Sequence, residues 1–186
     1  IERGAPWPKV AMQARAAFLA KGTDTEDCLN FRVLSILSVV YRRWASRRLK
    51  DLMPWVETWG LEEFVAGVGA NGAEDAWYTT SVQVELARLQ GREVTGATAD
   101  IWKCFDQICR KCVYLVLELG GFPTRILTAY QNFHEGAQYF NSLAGSLGAP
   151  HQHPNGIPQG CRLSMTLVAF WLRPWVHVIK ARAGLP

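Results

Sequence analysis

The sequence predicts an α+β fold, rich in helix and carrying a small antiparallel sheet. Three observations lead there. Apolar residues recur at helical spacing over 39–52, 73–89, 105–119, 123–133 and 163–181. Short runs such as Val33-Leu-Ser-Ile-Leu-Ser38 and Gln138-Tyr-Phe-Asn141 are β-prone instead. Glycine and proline gather at the joints between these segments.

Each element has a local reason. Residues 8–20 are helix-prone with proline at the start, although their end, Ala17-Phe-Leu-Ala-Lys21, reads equally as a short strand. Residues 22–30 are polar and read as a loop. Val39 to Leu52 forms a basic amphipathic helix, and Pro54 begins a new turn. Gly67 to Gly72 is a glycine-rich loop but no phosphate-binding loop, because no Gly-Lys-Ser/Thr follows. Ala73 to Leu89 is a helix with Glu74 and Asp75 in its first turn, where the macrodipole favours anions. Glu93 to Ile101 is β-prone, and Phe105 to Leu119 is one apolar helix stopped by Gly120-Gly121. A helix follows from Pro123 to Phe133, then a strand at 138–141 and a loop over 145–158. The last helix carries Pro174, which predicts a kink or a break.

Length and composition bound the rest. A chain of 186 residues, 49% apolar and 19% charged, can bury a core and is not of the disordered type. Its net charge of +4 permits a polyanionic partner without requiring one. The charge is concentrated: Arg42, Arg43, Arg47, Arg48 and Lys50 stand beside Tyr41 and Trp44. That mixture suits contact with a nucleic-acid backbone and equally suits a solvated helix face. Cys104, Cys109 and Cys112 fall in a helical pattern among apolar neighbours and read as buried thiols, with reactive thiols and a zinc site as the alternatives. An intracellular, reducing compartment fits them. No signal peptide opens the chain and no run reaches the length of a membrane span. The start without Met and the end in a helical segment suggest a piece of a longer chain.

Two stretches carry chemistry: Thr98-Ala-Asp-Ile-Trp-Lys-Cys-Phe-Asp106 and Gly156-Ile-Pro-Gln-Gly-Cys-Arg-Leu-Ser-Met165. Asp100, at the end of a β-prone run, can ligate a metal, with the main-chain carbonyl of Ile101 as a second oxygen; it can also simply cap a helix. Phe105 can bar a 2′-hydroxyl from a sugar site or lie in the core, and Asp106 orients the helix start. Pro158-Gln-Gly160 makes a turn whose glycine lets a ligand approach the backbone, while Gln159 can hydrogen-bond a sugar or base edge. Ser164 can cap the following helix or touch a phosphate. His151 and His153 lie in a loop without a further metal ligand, and His134 and His177 are helix residues.

The segment Asp100–Asp106 resembles the Asp-x-x-Lys-Ala-Phe-Asp block of reverse transcriptases of non-LTR retrotransposons and group II introns. Gly156–Ser164 resembles their Gly-x-Pro-Gln-Gly-x-Pro-Leu-Ser block, Phe31–Ser38 their Tyr-Arg-Pro-Ile-Ser-Leu-Leu segment, and Ala17–Lys21 their Leu-Ile-Pro-Lys. The four follow in the family's order, with Val33 and Arg162 standing where the family has proline. The resemblance implies a right-hand polymerase fold, with fingers over 1–90 and a partial palm over 91–186. It implies RNA-directed DNA synthesis from deoxynucleoside triphosphates onto a DNA or RNA primer on an RNA template, with Mg²⁺. Asp100 would be catalytic and, with Ile101, a metal ligand. Lys21, Arg32, Phe105, Gln159 and Gly160 would contact the nucleotide, and Arg42, Arg43 and Arg47 the nucleic acid. Work in the nucleus follows from the same resemblance. The family's aromatic-x-Asp-Asp block is absent from these 186 residues, which by themselves are expected not to polymerise. Two other readings stand beside this one: a degenerate retroelement relic that only binds nucleic acid, and an RNA-dependent RNA polymerase.

Overall fold

In β1, Gln13–Ala20, exposed and buried residues alternate at the start of the strand, with Ala14 and Ala16 turned inward. Alanine favours helix by only tenths of a kcal/mol per residue. Here that preference loses to strand pairing on both sides, so the helix expected over 8–20 is replaced by a single 3-10 turn, Lys9–Met12, and this strand. The structure is a computed structural model that describes residues 1–22, 30–61, 63–69 and 72–183.

The sheet has four strands in the order β2-β1-β3-β4, where β2 is Phe31–Ile36, β3 Gln138–Leu143 and β4 Ser146–His151. β1 pairs antiparallel with β2, Ala17 facing Leu34, and parallel with β3, Ala14 facing Tyr139. β3 and β4 form an antiparallel hairpin. The sheet is therefore mixed, which corrects the purely antiparallel expectation: β1 and β3 meet only through a long connection that brings β3 back in the same direction. β4 replaces the loop expected from 145. Its two-residue turn, Ala144-Gly145, has positive φ at both positions (48° and 83°), the geometry that fits a tight hairpin. Ala-Gly lacks the Asn or Asp that signals such a turn in sequence.

Among the described residues there are six α-helices: α1 Val39–Glu57, α2 Ala73–Leu89, α3 Cys104–Gln107, α4 Arg110–Leu119, α5 Thr124–Gly136 and α6 Ser164–Ala183. α1 runs through Pro54 and α6 through Pro174, so neither proline ends its helix, although each removes one intrahelical hydrogen bond. The single helix expected over 105–119 is two. Ile157 N–H donates to Phe105 O at 2.7 Å and Gly156 N–H to Ile108 O at 2.9 Å. Those carbonyls would otherwise accept from the following helical turn, so the incoming loop divides the helix.

The chain forms two compact units. The first holds Ile1–Leu52 and Phe105–Ser164, and the second Met53–Cys104 and Met165–Pro186. The first contains the whole sheet, and its core is aromatic. Tyr41 stacks on Phe133 at 3.6 Å between ring centres, and the Trp7 ring meets Phe133 edge-on. Trp7 Nε1 donates to Ala129 O at 2.8 Å, so the buried indole keeps a polar partner. In the second unit Phe170 packs against Trp55 and Trp59 at 4.9 and 4.8 Å, and Thr166 Oγ1 donates to Gly67 O at 2.8 Å. There α2 is largely exposed, with only Ala87 buried. Among the described residues no helix is long and apolar enough to cross a membrane.

Candidate functional site

The segment Gly156–Ser164 is docked by its backbone. Gly156 has φ +82°, and a Cβ there would lie 2.8 Å from Asp106 O and 2.9 Å from Phe105 O. Gly160 has φ +119°, and its Cβ would lie 2.6 Å from Ser35 O. Only glycine allows both approaches. Between them, the Gln159 carbonyl accepts from Ser35 N–H at 2.8 Å, which fastens the turn to β2. Cys161 is buried, with its Sγ 3.3 Å from Tyr41 Oη, and Tyr41 Oη lies 2.8 Å from His134 Nε2. Burial, and then the charge of Arg110, push the His134 pKa down to about 3, so the ring is neutral and serves as a core hydrogen-bonding group. Burial likewise raises the Cys161 thiol and holds Tyr41 protonated. Ser164 does not cap α6 with its side chain; the buried hydroxyl donates to Pro158 O at 3.0 Å and closes the turn from inside.

A small cleft opens beside this turn, with a cavity volume of about 50 Å³. Asp106, Arg110, His153, Asn155 and Gln159 supply its polar lining, with Val33 from β2. Arg110 is 3% exposed. Its Nη2 donates to His153 O, and its Nε lies 3.3 Å from Glu135 Oε1, which also accepts from Tyr114 Oη at 3.0 Å. A buried guanidinium anchored on one side to a carbonyl and on the other to a carboxylate is a fixed positive charge in the cleft wall. His153 packs against Tyr139 at 4.1 Å, and its Nε2 is 3.2 Å from that of His151. Burial, His151 and Arg110 together lower the His153 pKa, so its ring too is neutral near pH 7. The cleft offers one carboxylate, one buried cation, and amide and imidazole groups, a set that can bind a polar or anionic group by charge and hydrogen bonds.

The residues singled out in the sequence fall into three places. Gln159 lines the cleft, Gly160 sits at its turn, and Phe105 is half-buried in α3 with its carbonyl holding Ile157. Asp106, not Phe105, faces the cleft. Arg32 lies on β2 opposite Leu19, and Lys21, just past the end of β1, donates its N–H to Asn30 O at 2.8 Å. Both cations are exposed and share that hairpin. Arg42, Arg43 and Arg47 are exposed on α1; Arg47 pairs with Asp51 at 3.3 Å, while Arg42 and Arg43 have no acidic partner among the described residues. Arg48 is drawn away from solvent to Glu2 at 2.5 Å and to Asp51.

Asp100 and Ile101 belong to the other compact unit. The strand expected over 93–101 is absent: residues 92–100 have no regular structure, and Asp100 and Ile101 are exposed. No neighbouring strand among the described residues pairs with this segment, so its β propensity has nothing to act on. Lys103 is held at φ 47°, unusual for a side-chain-bearing residue, with Nζ 5.2 Å from the centre of the Trp102 ring. Among the described residues no three His, Cys, Asp or Glu side chains converge as a metal site.

The reading of the cysteines also needs correction. Cys109 and Cys112 are exposed rather than buried, and Cys104 is half-buried. The break before α4 puts Arg110, Val113, Tyr114 and Leu117 on its inner face and leaves both thiols outside. Arg110 itself went unnoticed in the sequence. Its signal was there, since it sits three, four and seven residues before apolar positions on one helical stripe.

No family model matches the chain. A transposon TX1 uncharacterized 149 kDa protein from Xenopus laevis is 23% identical over 178 residues. The match covers 94% of this chain and 13% of that protein. The chain is thus similar along almost its whole length to a small part of a transposon protein.

Proposed function

We propose that this chain is a segment of a retroelement reverse transcriptase, an RNA-directed DNA polymerase domain with fingers over 1–90 and part of a palm over 91–186. One observation carries the reading. The segments 17–21, 31–38 and 156–164, together with Phe105-Asp106, resemble the family singly, yet they are held to one another by backbone contacts in one compact unit. The likeness to a transposon protein agrees with this.

In this reading Gln159 and the backbone at Gly160 contact the incoming deoxynucleotide and the template, with Arg110 as a fixed cation behind them. Lys21 and Arg32 hold the triphosphate, Lys as a point charge and Arg as a fork. Phe105 excludes a ribose hydroxyl. Arg42, Arg43 and Arg47 grip the backbone of an RNA template or its primer. Asp100 and the Ile101 carbonyl contribute to a Mg²⁺ site that needs further carboxylates, so residues 1–186 alone do not extend a primer. Nuclear work follows from the retroelement reading.

The test is DNA synthesis on an RNA template by a chain joining these residues to an aromatic-x-Asp-Asp segment of the parent protein. Asp100→Ala abolishes synthesis there. Because Asp100 is exposed, stability changes by no more than about 0.5 kcal/mol. Full synthesis by the variant removes Asp100 from the mechanism, and no synthesis by the intact parent leaves the second reading. That reading, a relic that only binds nucleic acid, is favoured by Arg162, which stands where the family's block has proline. It predicts RNA binding that deoxynucleoside triphosphates do not strengthen.

A further inference from the structure

Cys109-Arg-Lys-Cys112 is a Cys-x-x-Cys sequence at the start of α4, and the cleft makes no use of its sulfurs. Cys109 is the N-cap residue of the helix and Cys112 lies in its first turn, so both sulfurs sit where the unpaired N–H groups and the macrodipole favour negative charge. Both residues are exposed. Neither takes part in a disulfide. Between them Arg110 points inward and is fixed to the His153 carbonyl and to Glu135, and Val113 is buried next to it. The turn is therefore held from inside while its two sulfurs face solvent. Residues three apart on a helix are neighbours, within the Cα separation that a disulfide spans.

The two thiols also differ in role. The Cys112 N–H and thiol and the Lys111 N–H face the Cys109 sulfur, without the geometry of a regular cap bond. These groups, with the Lys111 ammonium, lower the Cys109 pKa, whereas donation to Cys109 raises that of Cys112. The same asymmetry marks a nucleophilic thiol beside a resolving one.

We propose that Cys109 and Cys112 form a dithiol modification site that closes to an intrahelical disulfide by exchange with a small-molecule disulfide of the glutathione class. The Cys109 thiolate attacks one sulfur of the disulfide, forming a mixed disulfide and releasing one thiolate. Cys112 loses its proton to solvent and attacks the Cys109 sulfur, closing the Cys109–Cys112 bond and releasing the second thiolate. The protein dithiol loses two electrons, and the reagent becomes two thiols once its thiolates take up protons. The inference does not depend on the polymerase reading, because that reading gives no role to Cys109 or Cys112.

The experiment exposes the full chain to glutathione disulfide at pH 7 and maps the peptides by mass spectrometry. The wild type shows a Cys109–Cys112 disulfide, two hydrogen masses lighter than the dithiol and without bound glutathione. In Cys112→Ser the reaction halts with one glutathione on Cys109. Cys109→Ser keeps a good N-cap residue and shows no adduct in this turn beyond the slow level of Cys104. Alkylation of Cys109 in the reduced chain outpaces that of Cys104, whose thiol is raised by burial and by Asp100, by at least about tenfold. Separate glutathione adducts on both cysteines, no reaction at either, or a Cys112 that reacts equally well without Cys109 would each overturn the proposal.

Discussion

Replacing Gly156 by alanine tests whether the backbone contact between 156–157 and α3 holds the candidate site together. The glycine has φ +82°, and its new Cβ would meet three backbone atoms: Asp106 O at 2.8 Å, Phe105 O at 2.9 Å and Asp106 Cα at 3.1 Å. No flexible side chain can move aside. The left-handed conformation alone costs alanine about 1–2 kcal/mol. Relieving the overlap means drawing the loop off α3, which lengthens the hydrogen bonds from Gly156 to Ile108 and from Ile157 to Phe105. Each contributes about 0.5–1.5 kcal/mol, so the total loss is about 2–5 kcal/mol. Gly145 supplies the control. Its φ is +83°, nearly the same, but nothing lies within 4 Å of a Cβ there. Gly145→Ala should cost the conformational part only, about 1–2 kcal/mol. The assay is urea unfolding followed by circular dichroism. With a slope of about 2 kcal/mol per molar urea, the midpoint of Gly156→Ala should lie roughly 0.5–1.5 M below that of Gly145→Ala. Equal midpoints for the two variants would refute the argument, because the close approach would then contribute nothing.

Two further outcomes follow from the geometry. His134 binds a proton in the unfolded chain near pH 6.5 but in the folded protein only at about 3, because of burial and Arg110. A lowered folded pKa means that protons favour the unfolded state, so the His134 contribution is intact above about pH 6.5. It then declines by about 1.4 kcal/mol per pH unit as pH falls through the window down to about 3. The His134 ring signals in NMR should stay constant from pH 8 to 5, and a titration near 6.5 would contradict the buried neutral ring. On α1, changing Arg42, Arg43 and Arg47 together to alanine should weaken RNA binding. It should also lower the salt slope by about 0.7 for each phosphate of a single strand that the three arginines neutralise. An unchanged slope assigns those residues to a solvated helix face.

Much of the local structure was legible because it depends on short-range pattern. The extent of α2 and the positions of α1, α5, α6, β2 and β3 follow from apolar periodicity and from glycine and proline punctuation. The glycines of 156–160 were legible as a turn permitting close approach, but the partner approached was not. That partner is the protein's own backbone, at Asp106 on one side and Ser35 on the other. The 13–20 run was ambiguous for a physical reason: an alanine-rich stretch takes the form its neighbours impose, and β2 and β3 are far away in sequence.

The sequence by itself determined the mixed α/β character, the basic face of α1, the motifs and their order, since all of these reside in neighbouring residues. Tertiary structure alone decided four things. It made the sheet mixed, by returning β3 parallel to β1. It left 92–100 without a strand, because no strand among the described residues pairs with it. It split the helix at Ile108, where loop N–H groups from 156–157 take the carbonyls a continuous helix would use. By that split it set Arg110 in the cleft wall and turned Cys109 and Cys112 to solvent. In each case a backbone hydrogen bond is satisfied, or left without a partner, by a segment tens of residues away, and no local pattern encodes that choice.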